Sequence, residues 1–304
     1  MKGQPDRKLN LLEVLRRAEA YFKEHGVNAP RLSAESLLAK VLEIDRLGLY
    51  LNYDRPLVEK ELAAYRELVR RRGAHEPLQY ILGSWGFRGL EIAVGPDVLV
   101  PRPETEQLVE LLIGLIGRTP GEKSPGARAP LRVLDLCTGS GAVGLSLAAE
   151  LEGLWCLLTD KSHEALRWAV KNYRHHRKAL KSPVSIYLGD LCEPLAARPF
   201  FDVVAANPPY LAPEVLSRLP REVRDYEPVE ALDGGPPAGT GVIARIVETV
   251  HPVMLQGALL ALEIGEDQQE PVEELFQRNM DFFHDHRFHR DLAGKLRFVA
   301  ALRN

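Results

Sequence analysis

The fold of this chain is decided by residues 131–144, which read LRVLDLCTGSGAVG. The apolar residues at the start of this stretch predict a buried β-strand, and the small residues after them predict a turn that leads into a helix. Gly139 and Gly141 allow the backbone to bend tightly and a ligand to approach it closely. Strand-like and helix-like segments then alternate towards the C-terminus, which predicts parallel β-α-β units and an α/β fold.

The same stretch carries a carboxylate that a phosphate-binding turn lacks. Gly139, Gly141 and Gly144 have the Gly-x-Gly-x-x-Gly spacing of dinucleotide-binding proteins. Asp135, however, lies four residues before Gly139 at the end of the strand, where its charge would repel a pyrophosphate. A carboxylate at this position suits a cationic ligand, and we predict the amino and sulfonium groups of S-adenosylmethionine.

Two further acids end the strands that are predicted next. Asp160 closes the segment 154–160 and follows Gly141 by 19 residues, which is the position of a ribose-hydroxyl acceptor in nucleoside-binding α/β folds. Asp190 ends the segment 186–190, and we predict that it reaches an adenine amine. Each acid alone fits an ordinary strand-end residue, but their order at successive strand ends makes a specific pattern.

The residues Asn207-Pro208-Pro209-Tyr210 end another apolar run, at 201–206. Two consecutive prolines fix φ and lack amide donors, so they predict a rigid, extended turn at the carboxyl end of a strand, where open α/β sheets bind ligands. Such a turn presents the asparagine side chain and backbone carbonyls as fixed acceptors for a planar –NH2 group. A loop that simply ends the strand is the alternative interpretation of this segment taken alone.

Together these motifs resemble those of the class I methyltransferases that act on an amide or an exocyclic amine. The closest resemblance is to the peptide chain release factor glutamine N5-methyltransferases of the PrmC/HemK type, and it spans residues 10–302. Further segments that carry it are 76–83 (EPLQYILG), 98–106 (VLVPRPETE), Glu227-Pro228 and Ala231-Leu232. The Pro-Arg-Pro-Glu-Thr-Glu segment separates this family from the similar ribosomal-protein glutamine methyltransferases, which differ after Pro-Arg.

The resemblance implies a domain organisation and a reaction. A class I, Rossmann-like S-adenosylmethionine-dependent methyltransferase domain is expected at 101–304, after a helical substrate-docking domain at 1–75 and a β-hairpin connector at 76–100. The methyl group is expected to pass to the side-chain amide nitrogen of the glutamine in the Gly-Gly-Gln motif of class 1 release factors, with S-adenosyl-L-homocysteine as the other product. The final strand of the sheet is expected to be antiparallel.

The resemblance also implies the site residues. The catalytic residues are expected to be Asn207, Pro208, Pro209 and Tyr210. The expected cofactor-binding residues are Asp135, Leu136, Cys137, Thr138, Gly139, Gly141, Asp160, Asp190, Leu191 and Asn207.

The chain departs from the family pattern at two places. Cys137 stands where the family usually has glycine, and we expect it to keep an ordinary extended φ, because a Cβ disfavours positive φ. The loop 234–241 reads GGPPAGTG, where the family often has Asp-Gly-Leu after Gly-Gly. We expect this to alter the local loop and not the chemistry.

Periodicity predicts the remaining elements. Residues 9–73 read as a small helical bundle, with Ser33 as the cap of a helix that runs through Leu42 and another helix at 58–72. A helix is predicted at 104–116, an exposed loop at 117–130, and strands at 281–287 and 296–302. One face of the first helix is predicted to carry Leu11, Leu12, Leu15, Ala18 and Phe22.

Composition narrows the class of protein. The 304 residues carry a formal net charge of −3, which argues against a general nucleic-acid binder. Residues 1–75 hold 15 Lys and Arg against 11 Asp and Glu, which we interpret as a solvated helical surface. Three cysteines without metal-ligand spacing, and no signal peptide or long apolar run, predict a cytoplasmic protein without membrane or direct nucleic-acid contact. We expect a monomer.

Other interpretations remain open at this point. A DNA methyltransferase acting on adenine N6 or cytosine N4 uses the same chemistry on a flipped base, but it needs a basic cleft and a recognition domain. An adaptor that binds S-adenosylmethionine without catalysis is a third possibility, against which the intact 207–210 motif argues. His284, His286 and His289 are interpreted as residues of a solvated strand, with no metal site, and the basic run 171–178 as the end of a helix.

Overall fold

The computed structural model describes residues 9–117, 130–193 and 195–304. The chain divides into two compact units. The first consists of the residues up to Ser84 together with Pro220–Tyr226, and the second of Trp85–Leu219 and Glu227–Asn304. Apart from its two end residues, the loop predicted at 117–130 lies outside the described residues.

The regular elements of the described ranges follow in chain order. The helices are α1 Leu11–Glu24, α2 Pro30–Leu42, α3 Arg46–Leu51, α4 Glu59–Gly73, α5 Leu78–Leu82, α6 Pro103–Ile116, α7 Ala142–Glu150, α8 His163–His176, α9 Pro213–Leu216, α10 Arg221–Arg224, α11 Gly241–Thr249 and α12 Gln269–Arg278. The strands are β1 Ser84–Phe87, β2 Leu90–Ala93, β3 Leu131–Leu136, β4 Leu154–Asp160, β5 Val184–Leu188, β6 Phe201–Ala206, β7 Met254–Glu263, β8 Phe283–Arg290 and β9 Leu296–Arg303. Short 3-10 turns cover Val229–Ala231 and His251–Val253.

Helix α1 shows why the first unit is helical. Asn10 and Glu13 form a reciprocal capping box, in which Asn10 Oδ1 accepts a hydrogen bond from the Glu13 amide at 2.9 Å. The predicted apolar face is confirmed with one exchange, because Val14 is buried whereas Leu12 is only half-buried. The other buried members are Leu11, Leu15, Ala18 and Phe22.

The predicted helix cap at Ser33 is wrong. Helix α2 begins at Pro30, and its N-cap is Ala29. Proline suits the first helical position, because the amide hydrogen that it lacks would have no partner there. Ser33 is fully buried inside the helix, where its hydroxyl oxygen accepts a hydrogen bond from Arg72 Nε at 3.2 Å.

The segment Pro220–Tyr226 belongs to the first unit although it lies far along the chain. The buried guanidinium of Arg72 is 2.7 Å from the Glu222 carboxylate. The Tyr226 hydroxyl donates a hydrogen bond to the Ala74 carbonyl at 2.9 Å. A buried charge needs such a partner, so Glu222 offsets the burial of Arg72.

The predicted β-hairpin is confirmed, but it is confined to β1 and β2. Arg88 and Gly89 form its two-residue turn and have φ values of 44° and 78°, which match a type I′ turn. Part of the segment before it is helical, because Leu78 and Ile81 bury their side chains one turn apart in α5.

In the described residues, seven strands form one sheet in the order β5-β4-β3-β6-β7-β9-β8. Strands β3 to β7 pair in parallel, and β9 pairs antiparallel with β7 and with β8. The predicted α/β class and the antiparallel final strand are therefore confirmed. The chain runs from β3 outward to β5 and then returns to β6 on the other side of β3, which creates a topological switch point between β3 and β6.

The centre of the sheet is apolar on both faces. On one face, Leu134 on β3, Val204 on β6 and Leu260 on β7 are fully buried with Ile246 of α11 and Phe276 of α12. On the other face, the strand residues Val133, Ala205 and Ala261 are fully buried as well. Parallel strands covered by helices read as continuous apolar runs for this reason. The other predicted helices and strands are confirmed as α4, α6, β8 and β9. Across the described residues, no helix is long and apolar enough to cross a membrane.

Candidate active site

The turn between β3 and α7 contains three residues in the left-handed region. Cys137 has a φ of 54°, Gly139 of 56° and Gly141 of 85°. The expectation of an ordinary φ at Cys137 is therefore wrong. The position requires the conformation that glycine adopts freely, and a residue with a Cβ pays about 1–2 kcal/mol for it. A hydrogen bond from the Thr138 amide to the Thr159 carbonyl, at 2.9 Å, helps to hold the turn in this conformation.

Asp135 braces this turn from inside. Its Oδ2 accepts hydrogen bonds from the Thr138 hydroxyl at 2.6 Å and from the Gly144 amide at 2.9 Å. Burial raises the pKa of Asp135 to about 7, although these two donors favour its ionised form. A Cβ on Gly144 would lie 2.5 Å from Leu158 Cδ1 and 3.0 Å from Asp135 Oδ2. Gly144, the third glycine of the Gly-x-Gly-x-x-Gly spacing, is thus required for close packing of α7 on the sheet.

Asp160 ties the end of β4 to the same turn. Its Oδ2 accepts a hydrogen bond from the Gly139 amide and its Oδ1 one from the Ser162 amide, both at 2.9 Å. Burial raises the pKa of Asp160, and these amides oppose that effect. Each carboxylate oxygen can accept a further hydrogen bond from a ligand.

Asp190, after β5, is paired with a residue that the sequence did not indicate. Arg245 of α11 donates from Nη2 to Asp190 Oδ2 at 2.9 Å and to Glu193 Oε1 at 3.1 Å. The neighbouring Leu191 has a φ of 50°, so the chain turns sharply here. This ion pair brings a cation to the part of the site that was predicted to be acidic.

The Asn207 side chain belongs to a chain of hydrogen bonds that leads to a buried carboxylate. Its Nδ2 donates to the Thr105 Oγ1 at 3.0 Å, and the Thr105 hydroxyl donates to Glu263 Oε2 at 2.8 Å. The Tyr210 hydroxyl donates to the other oxygen, Glu263 Oε1, at 3.1 Å. Glu263 is completely buried at the end of β7, and this burial raises its pKa to about 7.

The loop 234–241 packs directly on the backbone of Tyr210. A Cβ on Gly234 would lie 2.8 Å from Tyr210 Cα, and a Cβ on Gly239 would overlap the Tyr210 carbonyl oxygen. Gln268 Nε2 donates to the carbonyls of Tyr210, at 2.7 Å, and of Ala238, at 2.8 Å. The departure from the family pattern in this loop is therefore accommodated by glycines and by one buried amide.

An ion pair joins the segment 98–106 to Glu227-Pro228, both of which carry the family resemblance. Arg102 Nη2 donates to Glu227 Oε1 at 2.7 Å, and Glu227 Oε2 accepts the Val100 amide at 3.4 Å. The Glu227 side chain is almost fully buried. The pair fixes the segment that leads into α6 and therefore helps to place Thr105.

These elements enclose a cavity of about 560 Å³ at the switch point of the sheet, within the size range of ligand pockets. The predicted site residues on its wall are Asp135, Cys137, Thr138, Gly139, Asp160, Asp190, Leu191, Asn207 and Pro209. The other predicted residues, Leu136, Gly141, Pro208 and Tyr210, adjoin these in sequence. Acidic side chains on the wall outnumber basic ones: Asp97, Asp135, Asp160, Glu164, Asp190 and Glu230 stand against Lys161 and Arg245.

Sequence reasoning missed Thr105, Glu263, Arg245 and Gln268. A signal existed for two of them, because Thr105 lies in the Pro-Arg-Pro-Glu-Thr-Glu segment and Glu263 is a strand-end acid like Asp135 and Asp160. No pattern in the sequence indicates Arg245 or Gln268.

The histidines near the C-terminus lie on β8. His286 Nε2 is 2.8 Å from the Glu273 carboxylate, and its ring stacks on Phe276. Within the described ranges, no group of three or more His, Cys, Asp or Glu side chains is arranged to hold a metal ion.

Comparison with known proteins identifies the family. The models of the PrmC N-terminal domain and of the methyltransferase small domain match residues 13–83 and 126–219. The release factor glutamine methyltransferase of Geobacter sulfurreducens is 40% identical over 266 residues, which are 88% of each chain. The protein of that name from Nitratidesulfovibrio vulgaris is 36% identical over 293 residues, which are 96% of this chain and 94% of the relative.

A solved structure supports the fold alone. The hMettl16 catalytic domain, in complex with MAT2A 3′UTR hairpin 6, has a TM-score of 0.51 and 16% identity, over 80% of this chain and 81% of that chain. Sequence similarity over nearly the whole length decides the family, and the chain belongs to the release factor glutamine methyltransferases.

Proposed function

We propose that this protein transfers a methyl group from S-adenosylmethionine to the side-chain amide nitrogen of a glutamine in a release factor. We further propose that this glutamine is the one in the Gly-Gly-Gln motif of class 1 release factors. Membership of the family supports the reaction. The observation that carries the assignment to this site is the position of Asn207 on the wall of a predominantly acidic cavity at the sheet's switch point.

The residues of the cavity fit the cofactor. Asp135 is a buried carboxylate and Asp160 a half-buried one. Their charge suits the amino and sulfonium groups, and their free lone pairs suit ribose hydroxyls. When bound, S-adenosylmethionine supplies an electrophilic methyl group on its sulfonium. Gly139 has only Val98 Cγ2 near the position of a Cβ, at 3.6 Å, so the backbone there is open to a ligand.

Asn207 and Pro208 are proposed to aim the substrate. An amide nitrogen is a poor nucleophile, because its lone pair is delocalised into the carbonyl. The Asn207 Oδ1 and the Pro208 backbone carbonyl would each accept a hydrogen bond from one N–H group of the glutamine amide. These two hydrogen bonds would orient the nitrogen and stabilise the positive charge that develops on it. Pro209 keeps the turn rigid, and the Tyr210 ring would stack on the planar amide.

This chemistry requires no strong base. The methylated nitrogen is acidic enough to lose its proton to water, so positioning and electrostatics carry the rate. Every residue invoked belongs to one chain, so a monomer suffices. Since release factors act in translation, the proposal implies a cytoplasmic protein.

The rival substrates are DNA and ribosomal proteins. The excess of acidic side chains on the cavity wall disfavours a polyanion. Thr105, which the Pro-Arg-Pro-Glu-Thr-Glu segment supplies, bonds directly to Asn207 and links that segment to the site.

The test is methyl transfer from labelled S-adenosylmethionine to a purified class 1 release factor, ribosomal proteins and DNA, measured side by side. We expect label in the release factor, at the glutamine of Gly-Gly-Gln. Preferential labelling of DNA or of a ribosomal protein would overturn the proposal.

The first 75 residues are proposed to help dock the folded substrate. A short Gly-Gly-Gln peptide must be ordered on binding and forgoes those contacts, so the intact factor should be the far better substrate. Equal values of kcat/KM for the peptide and the intact factor would argue against a docking role.

A further inference from the structure

We propose that Glu263 acts through Thr105 as a positioning residue, which fixes the Asn207 amide so that its carbonyl oxygen, and not its NH2 group, faces the substrate. The inference rests on the proposed function, because only a substrate whose N–H groups donate hydrogen bonds needs an acceptor at Asn207. Glu263 and Thr105 lie outside the 207–210 motif, at 56 and 102 positions from Asn207 along the chain.

The direction of the hydrogen bonds follows from counting protons. An ionised carboxylate accepts hydrogen bonds and donates none, and each oxygen of Glu263 has one hydroxyl as its partner. The single proton of Thr105 is therefore directed at Glu263. The Thr105 oxygen then presents a lone pair to Asn207, so the group of Asn207 that faces it must be the NH2.

The hydrogen-bond network fixes the orientation of the Asn207 amide. The oxygen and nitrogen of an asparagine amide have nearly the same shape, and their assignment depends on the hydrogen-bond network. With Nδ2 committed to Thr105, Oδ1 is turned to the opposite side. Without Glu263, the Thr105 proton would find Asn207 Oδ1 as an acceptor, and the amide would turn its NH2 group towards the substrate.

Because Glu263 is buried, its protein partners alone determine the direction of the hydrogen bonds. The side chain is 0% exposed, so water does not compete for its oxygens. Its oxygens accept hydrogen bonds from the Thr105 and Tyr210 hydroxyls, and the charges of Arg297 on β9 and Glu104 on α6 act on it electrostatically. Arg297 favours the ionised form, whereas burial raises the pKa of Glu263 to about 7. The network therefore has the required direction above that pH, where kcat is to be compared.

The test compares two substitutions at one position. Thr105→Val keeps the shape and removes the hydroxyl, whereas Thr105→Ser keeps the hydroxyl. We expect Thr105→Val to lower kcat on the release factor by about 10- to 100-fold, as the loss of an orienting partner does at other sites. Thr105→Ser should restore most of the turnover. The Kd for S-adenosylhomocysteine should not change in either variant.

Ser182→Ala is the matched control. Ser182 is also buried in the second unit, its hydroxyl donates to the Leu151 carbonyl at 2.7 Å, and it lies before β5, outside the cavity wall. Its loss should lower stability without lowering kcat. A kcat for Thr105→Val equal to that of the unaltered enzyme, or an equal loss of kcat in Thr105→Val and Thr105→Ser, would overturn the inference.

A second variant keeps the test decisive if Thr105→Val does not fold. Glu263→Met replaces the buried carboxylate by an apolar side chain of similar length. It leaves the Thr105 and Tyr210 hydroxyls without their acceptor, so the free energy of unfolding should fall and is measured beside kcat. It should lower kcat as Thr105→Val does.

An inhibition assay reports the orientation of the amide. A release factor that carries Glu in place of the target Gln should inhibit Glu263→Met about tenfold more strongly than the unaltered enzyme, since the turned NH2 group can donate to its carboxylate. Equal inhibition together with unchanged kcat would refute the role of Glu263.

The two proposals fail in different ways. If the unaltered enzyme does not methylate the release factor, the proposed function fails. If the unaltered enzyme is active and the variants match it, only the positioning role fails.

Discussion

Asp160→Ala is expected to weaken the binding of S-adenosylhomocysteine by about 5- to 150-fold. Asp160 Oδ2 and Oδ1 each accept one backbone amide at 2.9 Å, and each oxygen keeps a lone pair that can accept a ribose hydroxyl. The loss of such charge-assisted bonds costs about 1–3 kcal/mol, which gives this range of affinity.

The measurement is calorimetric titration with S-adenosylhomocysteine, together with urea unfolding of the unliganded protein. The substitution also leaves the Gly139 and Ser162 amides without their acceptor, so the free energy of unfolding should fall by about 1–3 kcal/mol. These two effects have to be separated, because a weakened turn could also bind its ligand less well.

Asp202→Ala provides the matched control. The Asp202 carboxylate accepts the Arg132 amide at 2.9 Å, but it lies at the start of β6, whereas Asn207 follows the end of that strand. Asp202→Ala should lose stability and keep its affinity for the ligand. A folded Asp160→Ala variant with the Kd of the unaltered protein would refute the reasoning and leave Asp160 as a brace of the turn only.

Three further predictions concern the catalytic turn, the strained cysteine and the pH dependence of stability. Asn207→Ala should bind S-adenosylhomocysteine normally but lose about 100-fold or more in kcat, because a contact made mainly in the transition state is removed; near-normal turnover on the release factor would contradict the amide-clamp mechanism. Cys137→Val should lower the free energy of unfolding by about 1–2 kcal/mol more than Cys137→Gly does, since a β-branched residue resists positive φ; equal urea midpoints would show that the position tolerates a branched Cβ. Burial raises the pKa of Asp135 and of Glu263 to about 7, from ordinary values of 3.8 and 4.5. Between the ordinary and the raised pKa values, the folded chain therefore binds more protons than the unfolded chain. The free energy of unfolding should fall as pH rises from about 4 to about 7, by at most about 3 kcal/mol for Glu263. Glu263→Met should flatten this dependence in urea unfolding at pH 5.5 and pH 8, and an unchanged slope would count against a buried, titrating Glu263.

The sequence predicted much of the fold, because the signals involved are local. An apolar run followed by glycines fixes a strand, a turn and a helix at 131–144, and two prolines fix a rigid turn after 201–206. The acids were recognised by their order at successive strand ends, and the carboxyl ends of parallel strands lie at one edge of a sheet. The structure places Asp135, Asp160 and Asp190 on one cavity wall.

Local signals failed where the neighbours of a residue decide its conformation. Cysteine has no preference for positive φ, yet Cys137 adopts it, because the turn is braced on both sides by Asp135 and Asp160. Ser33 has the chemistry of a helix cap, but Pro30 already begins the helix and the serine is buried against Arg72.

The sequence by itself determined the class of fold, the family and the motif that presents Asn207, since each depends on residues close together in the chain. Only the tertiary structure decided which side chains complete the site. Thr105 meets Asn207 across 102 residues and Glu263 across 158, and Arg245 meets Asp190 across 55. These contacts exist because β6 lies beside β3 and β7 beside β6. The order of strands is set by the packing of the whole domain, which no local pattern encodes.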